Sequence, residues 1–305
     1  MPPQQRTGVG VAFAIAAYVL WGFLPLYFAA LAPAGAVEVV AWRVLLSLVF
    51  CAALLTVTRG WPALVAIARD RRTMLVMGAA GVFILINWLV YVFAALSGHV
   101  VEASLGYFTN PIVTVLLGVI VLRERLRPLQ WVAIGFSALA VLVLAVNYGK
   151  FPWIALVLAF SFGLYGFIKK QVGSRVDAIS GLTIETAWLA PFAAIAVVVI
   201  ALNGGLVMGT AGGGHTLLLL LAGGVTAIPL LLFAAAARRL PLVYLGLTQY
   251  FAPVIQFLIG VFIFREDMPV ARWVGFTLVW VALVVLTIDM LRSNRAARRA
   301  AIEPI

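Results

Sequence analysis

The residues able to do chemistry in this sequence are few, and they sit in apolar surroundings. Arg43 and Glu185 lie about a third of the way into two long hydrophobic segments, 142 positions apart. A charge at the centre of a membrane helix costs about 2.5–3.5 kcal/mol on insertion scales, so it usually has a partner and a role. Three readings are open for this pair. The two residues contact each other, they hold the two ends of a zwitterionic substrate, or each snorkels to its own interface. A second group surrounds two prolines. Tyr107, Thr109, Asn110 and Thr114 flank Pro111, and Thr248, Gln249, Tyr250 and Gln256 flank Pro253. A proline within a helix has no N–H and frees the carbonyl four residues earlier, here that of Tyr107 and of Gln249. In hydrocarbon such a carbonyl must face protein or a water-filled cavity. Pro111 and Pro253 are therefore expected as hinges or kinks, with Tyr107, Asn110, Gln249 and Tyr250 as binding groups. Asn87 and Tyr91 share one helix face at a spacing of four, with Trp88 beside them. They read either as a cavity wall or as part of an interfacial aromatic belt. Tyr165 is a weaker candidate of the same kind.

Catalytic constellations are absent from the pattern. His99 and His215 are far apart, the lone cysteine is Cys51, and no His or Cys has metal-ligand spacing. The glycine-rich stretch 203–215 lacks the Lys-Ser/Thr that completes a phosphate-binding loop. It is expected as a flexible connector. No enzyme activity, catalytic residue, metal or cofactor is expected.

The elements that must position these groups follow from composition. Hydrophobic residues make up 65% of the chain and charged residues 10%, against about 45–50% and about 25% in soluble domains. A helix of about 20 apolar residues crosses the hydrocarbon core. Ten such segments are predicted, at 8–31, 37–58, 73–96, 100–122, 129–146, 153–168, 179–201, 216–237, 242–264 and 270–290. The first is too long for a signal-peptide core and reads as a span. The net charge of +11 reflects membrane topology rather than nucleic-acid binding. If the segments alternate, 17 of the 21 Lys and Arg residues fall on one side, in the stretches around 59–72, 123–127, 169–175, 238–239 and 292–299 and at Arg6. That bias places both termini in the cytoplasm. The stretch 59–72 is basic and mildly amphipathic and is expected on the lipid surface.

The chain also repeats itself. At an offset of 142, Leu105 meets Leu247, Pro111 meets Pro253, Gly118 meets Gly260, Trp131 meets Trp273, and Gly81 meets Gly223. A duplicated unit of five helices inserts its second copy upside down, which predicts two inverted repeats with binding near the midplane. The expected units are 8–147, 151–290 and a basic cytoplasmic tail, 291–305.

The stretches Glu102–Pro111, Asn87-Trp88-Leu89, Gly181–Thr186, Thr226–Pro229 and Gly246–Tyr250 with Pro253 closely resemble the RarD group of the EamA family, within the drug/metabolite transporter superfamily. The resemblance runs from about Gly8 to Asp289. It departs at Trp42, where relatives commonly carry His. It implies an all-α polytopic protein of ten helices in two EamA repeats, a bacterial inner membrane, and export of small molecules, with chloramphenicol-type permeases among the relatives. The resulting expectation is a secondary transporter with alternating access around a cavity of the first, third, fourth, sixth, eighth and ninth spans. Its partners are a small-molecule substrate and the lipid bilayer. No nucleotide-binding motif is present, so a gradient must supply the energy, and Glu185 is the best proton carrier. A lipid-headgroup flippase would instead gather charge at one membrane face, and a non-transporting sensor or regulatory subunit would need no alternating cavity. Substrate, direction, coupling ion and oligomeric state are not written in the sequence.

Overall fold

In a hydrocarbon environment each backbone N–H and C=O must find its partner within the same segment, so long apolar runs become helices. The computed structural model describes residues 3–122, 127–147, 151–172, 175–237, 239–240 and 248–300. All regular elements among these are helical. In chain order they are α1 (Pro3–Ala29), α2 (Ala36–Val57), α3 (Trp61–Ala68), α4 (Arg71–Leu96), α5 (Val100–Leu122) and α6 (Pro128–Asn147). Then come α7 (Trp153–Val172), α8 (Ala178–Leu202), α9 (Gly213–Leu220), α10 (Ala222–Ala237), α11 (Phe251–Leu258) and α12 (Val270–Ala300), with a π-helical turn at Ile259–Ile263 after α11.

Among the described residues eight stretches are long and apolar enough to cross a membrane: Gly8–Ala29, Ala36–Val57, Arg71–Leu96, Val100–Leu117, Pro128–Val146, Ala178–Leu202, Gly213–Ala236 and Val270–Asp289. Two further apolar helices, Trp153–Lys169 and Phe251–Ile263, are shorter. The second corresponds to the segment expected at 242–264, whose residues 242–247 lie outside the described ones. The starts of α4 and α8 carry aspartate caps. Asp177 Oδ1 accepts from the N–H groups of Ile179 and Ser180 at 3.0 Å each. Asp70 accepts from Arg72 N–H and the Thr73 hydroxyl, which hold its carboxyl below the usual range, the Thr73 contact most of all. The basic stretch expected on the lipid surface contains α3, none of whose residues is buried.

Helices from the two halves of the sequence pack against each other. α2 meets α8 and α10, α4 meets α7 and α8, α5 meets α7 and α11, α1 meets α10 and α11, and α6 meets α12. Small residues bring backbones close, as packing between membrane helices requires. A Cβ on Gly106 would stand 2.7 Å from the Ala155 carbonyl oxygen, so α5 and α7 touch along their backbones. A Cβ on Gly223 would collide with the Leu46 carbonyl oxygen, so α10 rides directly on α2. The larger buried cluster joins α1, α2, α4, α7 and α8 around Phe28, Val39, Trp88, Leu158 and Leu189. A second one joins α5, α6, α11 and α12 around Phe108, Phe257 and Phe276.

Three carboxylates tie loops and helix starts together. Glu38, 2% exposed, accepts from Val207 N–H at 3.0 Å and Met208 N–H at 2.9 Å. The 203–215 connector, expected to be flexible, is therefore anchored at its centre. Glu102 accepts from Ile154 N–H at 3.0 Å. Glu266 accepts from Val100 N–H at 2.5 Å and Val101 N–H at 3.0 Å. The donors of Val100, Val101 and Ile154 belong to the first turns of α5 and α7. A helix start has free N–H groups and a partial positive charge, and a carboxylate satisfies both.

Candidate functional site

The apolar stripe of α4 turns Asn87, Trp88 and Tyr91 into the bundle, and all three are buried. The same interior receives Arg43 from α2, Tyr107 from α5 and Thr226 from α10. Arg43 is 5% exposed. Its Nε donates to Thr226 Oγ1 at 2.8 Å. Its guanidinium lies 4.1 Å from the Trp88 ring centroid and 5.5 Å from that of Phe28. Cation–π contacts of this kind strengthen when water is excluded. Tyr107 Oη donates to Asn87 Oδ1 at 2.9 Å, and Asn87 Nδ2 donates to Ser161 Oγ and the Leu158 carbonyl, both at 3.2 Å. Asn87 thus links α4, α5 and α7. Replacing Asn87 with leucine strips Tyr107 of its acceptor and Ser161 of a donor. Each lost bond is worth about 0.5–1.5 kcal/mol. The expected outcome is a fall of about 1–3 kcal/mol in unfolding free energy, read by denaturant titration in mixed micelles, with the variant still inserted. An unchanged midpoint would show that the network carries no stability.

Glu185 in α8 and Lys169 at the end of α7 form a second centre. Lys169 Nζ lies 2.8 Å from Glu185 Oε1, with side-chain exposures of 28% and 2%. Tyr165 Oη donates to Glu185 Oε2 at 3.3 Å, and Lys169 Nζ stands 5.3 Å from the Tyr165 ring centroid. Glu185 therefore meets Lys169 and Tyr165, and of the three open readings for Arg43 and Glu185 the direct contact is not made. Rings join the two centres. Phe28, Tyr91, Tyr107, Phe162 and Tyr165 follow one another with centroid separations of 5.5–5.9 Å.

Seven of the sequence candidates thus share one interior: Arg43, Asn87, Trp88, Tyr91, Tyr107, Tyr165 and Glu185. Asn110 is half-buried beside Gly163 of α7, and its Oδ1 is buried without a hydrogen-bond partner among the described residues. Gln249 and Tyr250 lie elsewhere. Tyr250 contacts Gln249 and Thr287 and lines a cavity of about 300 Å³ with Trp280, Leu283, Val284, Thr287 and Ile288. Pro111 sits within the continuous α5. Pro253 stands in the first turn of α11, after a turn at Gln249 and Tyr250, a place where its missing N–H removes no helical bond.

Sequence reasoning missed Lys169 and Phe28, and it noted Gln256 only as polar company of Pro253 and Thr226 only within a family-like stretch. Gln256 Nε2 donates to the Trp21 carbonyl at 3.2 Å, tying α11 to α1. Lys169 stood at the end of an apolar run and counted only as a cytoplasmic charge. Its spacing of four from Tyr165 was the available signal, since that spacing puts both on one helix face.

Comparison with known proteins places this arrangement among transporters. The profile of the EamA-like transporter family matches residues 8–146. Protein RarD of Streptomyces exfoliatus is 48% identical over 97% of this chain and 92% of its own length. An uncharacterized transporter of Vibrio cholerae is 38% identical over 98% of both. A solved structure titled only as a crystal structure of a protein superposes with a TM-score of 0.58 at 20% identity, covering 92% of this chain and 97% of the other. That last likeness concerns the fold alone.

Proposed function

Because this chain belongs to the EamA family of membrane transporters and to its RarD group, a multi-pass bacterial membrane protein with a small-molecule substrate, we propose that it is a secondary exporter working by alternating access. The observation that carries the reading is the buried polar and aromatic interior around Arg43, Trp88, Asn87 and Tyr107. Such groups at membrane depth are costly and are kept where a substrate or ion must pass. We place the substrate against Arg43, Asn87, Trp88, Tyr91 and Tyr107, with Asn110 at its border. Metabolites or drugs of the chloramphenicol-permease type are the substrate range that the family resemblance implies.

The proposed architecture is ten helices in two inverted five-helix repeats, counting the two shorter apolar helices as spans. The helix pairs support it. Shifting by 142 residues converts α4 with α7 into α10 with α1, and α4 with α8 into α10 with α2. Gly81 and Gly223 also take equivalent roles, the first facing the Glu185 backbone in α8 and the second the Leu46 backbone in α2. Both termini are placed in the cytoplasm by the charge bias. Cysteines introduced at 203–215 are expected to react with an impermeant reagent from outside the cell. Labelling of the tail after Asp289 in intact cells would overturn the topology.

Energy comes from an ion gradient in this reading. Proton binding to Glu185 would release Lys169 and loosen α7 from α8. The deciding experiment reconstitutes the purified chain in proteoliposomes and screens labelled small molecules for uptake with and without a pH gradient. Pump-free liposomes and the Glu185→Gln variant serve as comparisons. Accumulation that needs the gradient and is lost in Glu185→Gln supports the mechanism. Absence of any protein-dependent flux across the screen removes it. A flippase is less well supported, because the Arg43 and Glu185 centres lie within the bundle rather than as a charged patch at one face.

A further inference from the structure

Buried polar atoms in folded proteins almost always have partners, and a cation without one is costly. Arg43 is the buried arginine among the described residues that leaves such an atom unpartnered. Its Nε is used by Thr226, and its faces are covered by Trp88 and Phe28. Its Nη1 is buried and has no hydrogen-bond partner among the described residues. The nearby groups cannot neutralise it. Tyr27, Tyr91 and Tyr107 are the groups within electrostatic reach of the guanidinium. The Tyr27 hydroxyl already donates to the Leu218 carbonyl, and that of Tyr107 to Asn87. The Tyr91 hydroxyl, near Gln256, is itself buried without a hydrogen-bond partner among the described residues and is neutral, so it supplies no counter-charge. Among the described residues no carboxylate lies within 4.0 Å of Arg43; the buried acids Glu185 and Glu38 are engaged elsewhere, the first by Lys169 and the second by the amides of Val207 and Met208. Among the described residues this interior thus holds one ion pair, Lys169 with Glu185, and one guanidinium without a carboxylate partner.

The geometry points to a net-anionic substrate, bound through a carboxylate that accepts a hydrogen bond from Arg43 Nη1. This rests on the transporter reading and narrows it. A zwitterion would need a second, free carboxylate for its ammonium, and the interior offers only one already engaged. A neutral substrate would leave the guanidinium without a counter-charge, and a cation would be repelled. The charge-assisted bond is also the stronger kind, about twice a neutral one.

The test is equilibrium binding to the purified full chain in lipid nanodiscs, followed by tryptophan fluorescence, since Trp88 lies on the guanidinium. The probes are acetate, benzoate and phenylacetate, each against its own amide. At least one carboxylate is expected to bind tenfold or more tightly than its amide. Arg43→Gln should erase that ratio, and Arg43→Lys, which keeps the charge but not the fork, should retain part of it. If Arg43→Gln does not fold, the ratios in the wild type and Arg43→Lys decide. A ratio below tenfold for all three pairs overturns the assignment, as does a ratio that survives Arg43→Gln. The two readings fail separately. Flux of neutral or cationic compounds without carboxylate preference removes the anion assignment and keeps the transporter. Carboxylate preference without any flux does the reverse.

Discussion

Lys169→Met is expected to lower the unfolding free energy by about 3–5 kcal/mol, the range for stranding one member of a buried ion pair. Glu185 is only 2% exposed and is left facing the Tyr165 hydroxyl alone. The reverse change should cost less. In Glu185→Gln the stranded lysine has 28% side-chain exposure and a flexible stem that reaches toward water. The double change Lys169→Met with Glu185→Gln should recover most of the loss, because no charge is then buried unpaired. Denaturant titration of the four proteins in mixed micelles gives the cycle. A double variant as unstable as the sum of the two singles would mean that the ion pair contributes nothing as a pair.

Gly223→Ala is the second large effect, and one methyl group produces it. The added Cβ meets the Leu46 carbonyl oxygen, which belongs to a helix backbone and cannot rotate aside. α10 must move off α2, and with it Thr226 leaves Arg43 Nε. Overpacking of this kind costs about 1–3 kcal/mol, and the lost charge-assisted bond adds about 1.5–3 kcal/mol. Gly135→Ala in α6 is the matched comparison, since nothing lies within 4 Å of its added Cβ. It should be neutral or mildly stabilising, as removing a helix-interior glycine generally is. The thermal midpoints of the two variants should move in opposite directions or differ by several degrees. Equal midpoints would show that the α2–α10 contact is not tight.

Much of this was legible in the sequence for specific reasons. Segment positions follow from hydropathy because hydrocarbon demands regular helices. Arg43, Asn87, Trp88, Tyr91, Tyr107 and Glu185 stood out because polar groups in apolar runs are expensive. The sequence left the pairing of Arg43 with Glu185 open, and the structure does not show it. Both lie seven residues into their helices, α2 and α8. In the inverted topology proposed above these helices enter from opposite faces, so equal distances along them put the two charges at different depths. A shared repeat position then argues against contact. Lys169 was hidden for another reason, because a lysine at the end of an apolar run reads equally as an interfacial charge. The carboxylates Glu38, Glu102 and Glu266 were hidden too, since their partners are backbone groups 52 to 170 positions away.

Those three carboxylates have a consequence for how this protein tolerates change. Each grips main-chain N–H groups, at Val100, Val101, Ile154, Val207 and Met208. An amide hydrogen is the same on every residue but proline. The grip itself therefore asks nothing of the side chain at these positions beyond excluding proline, although packing still sets it at Val100, Val101 and Ile154, which are 0–1% exposed. In the connector at 203–212 two constraints remain: Val207 and Met208 must refuse proline, and Gly204, Gly209 and Gly212 hold positive φ, which favours glycine.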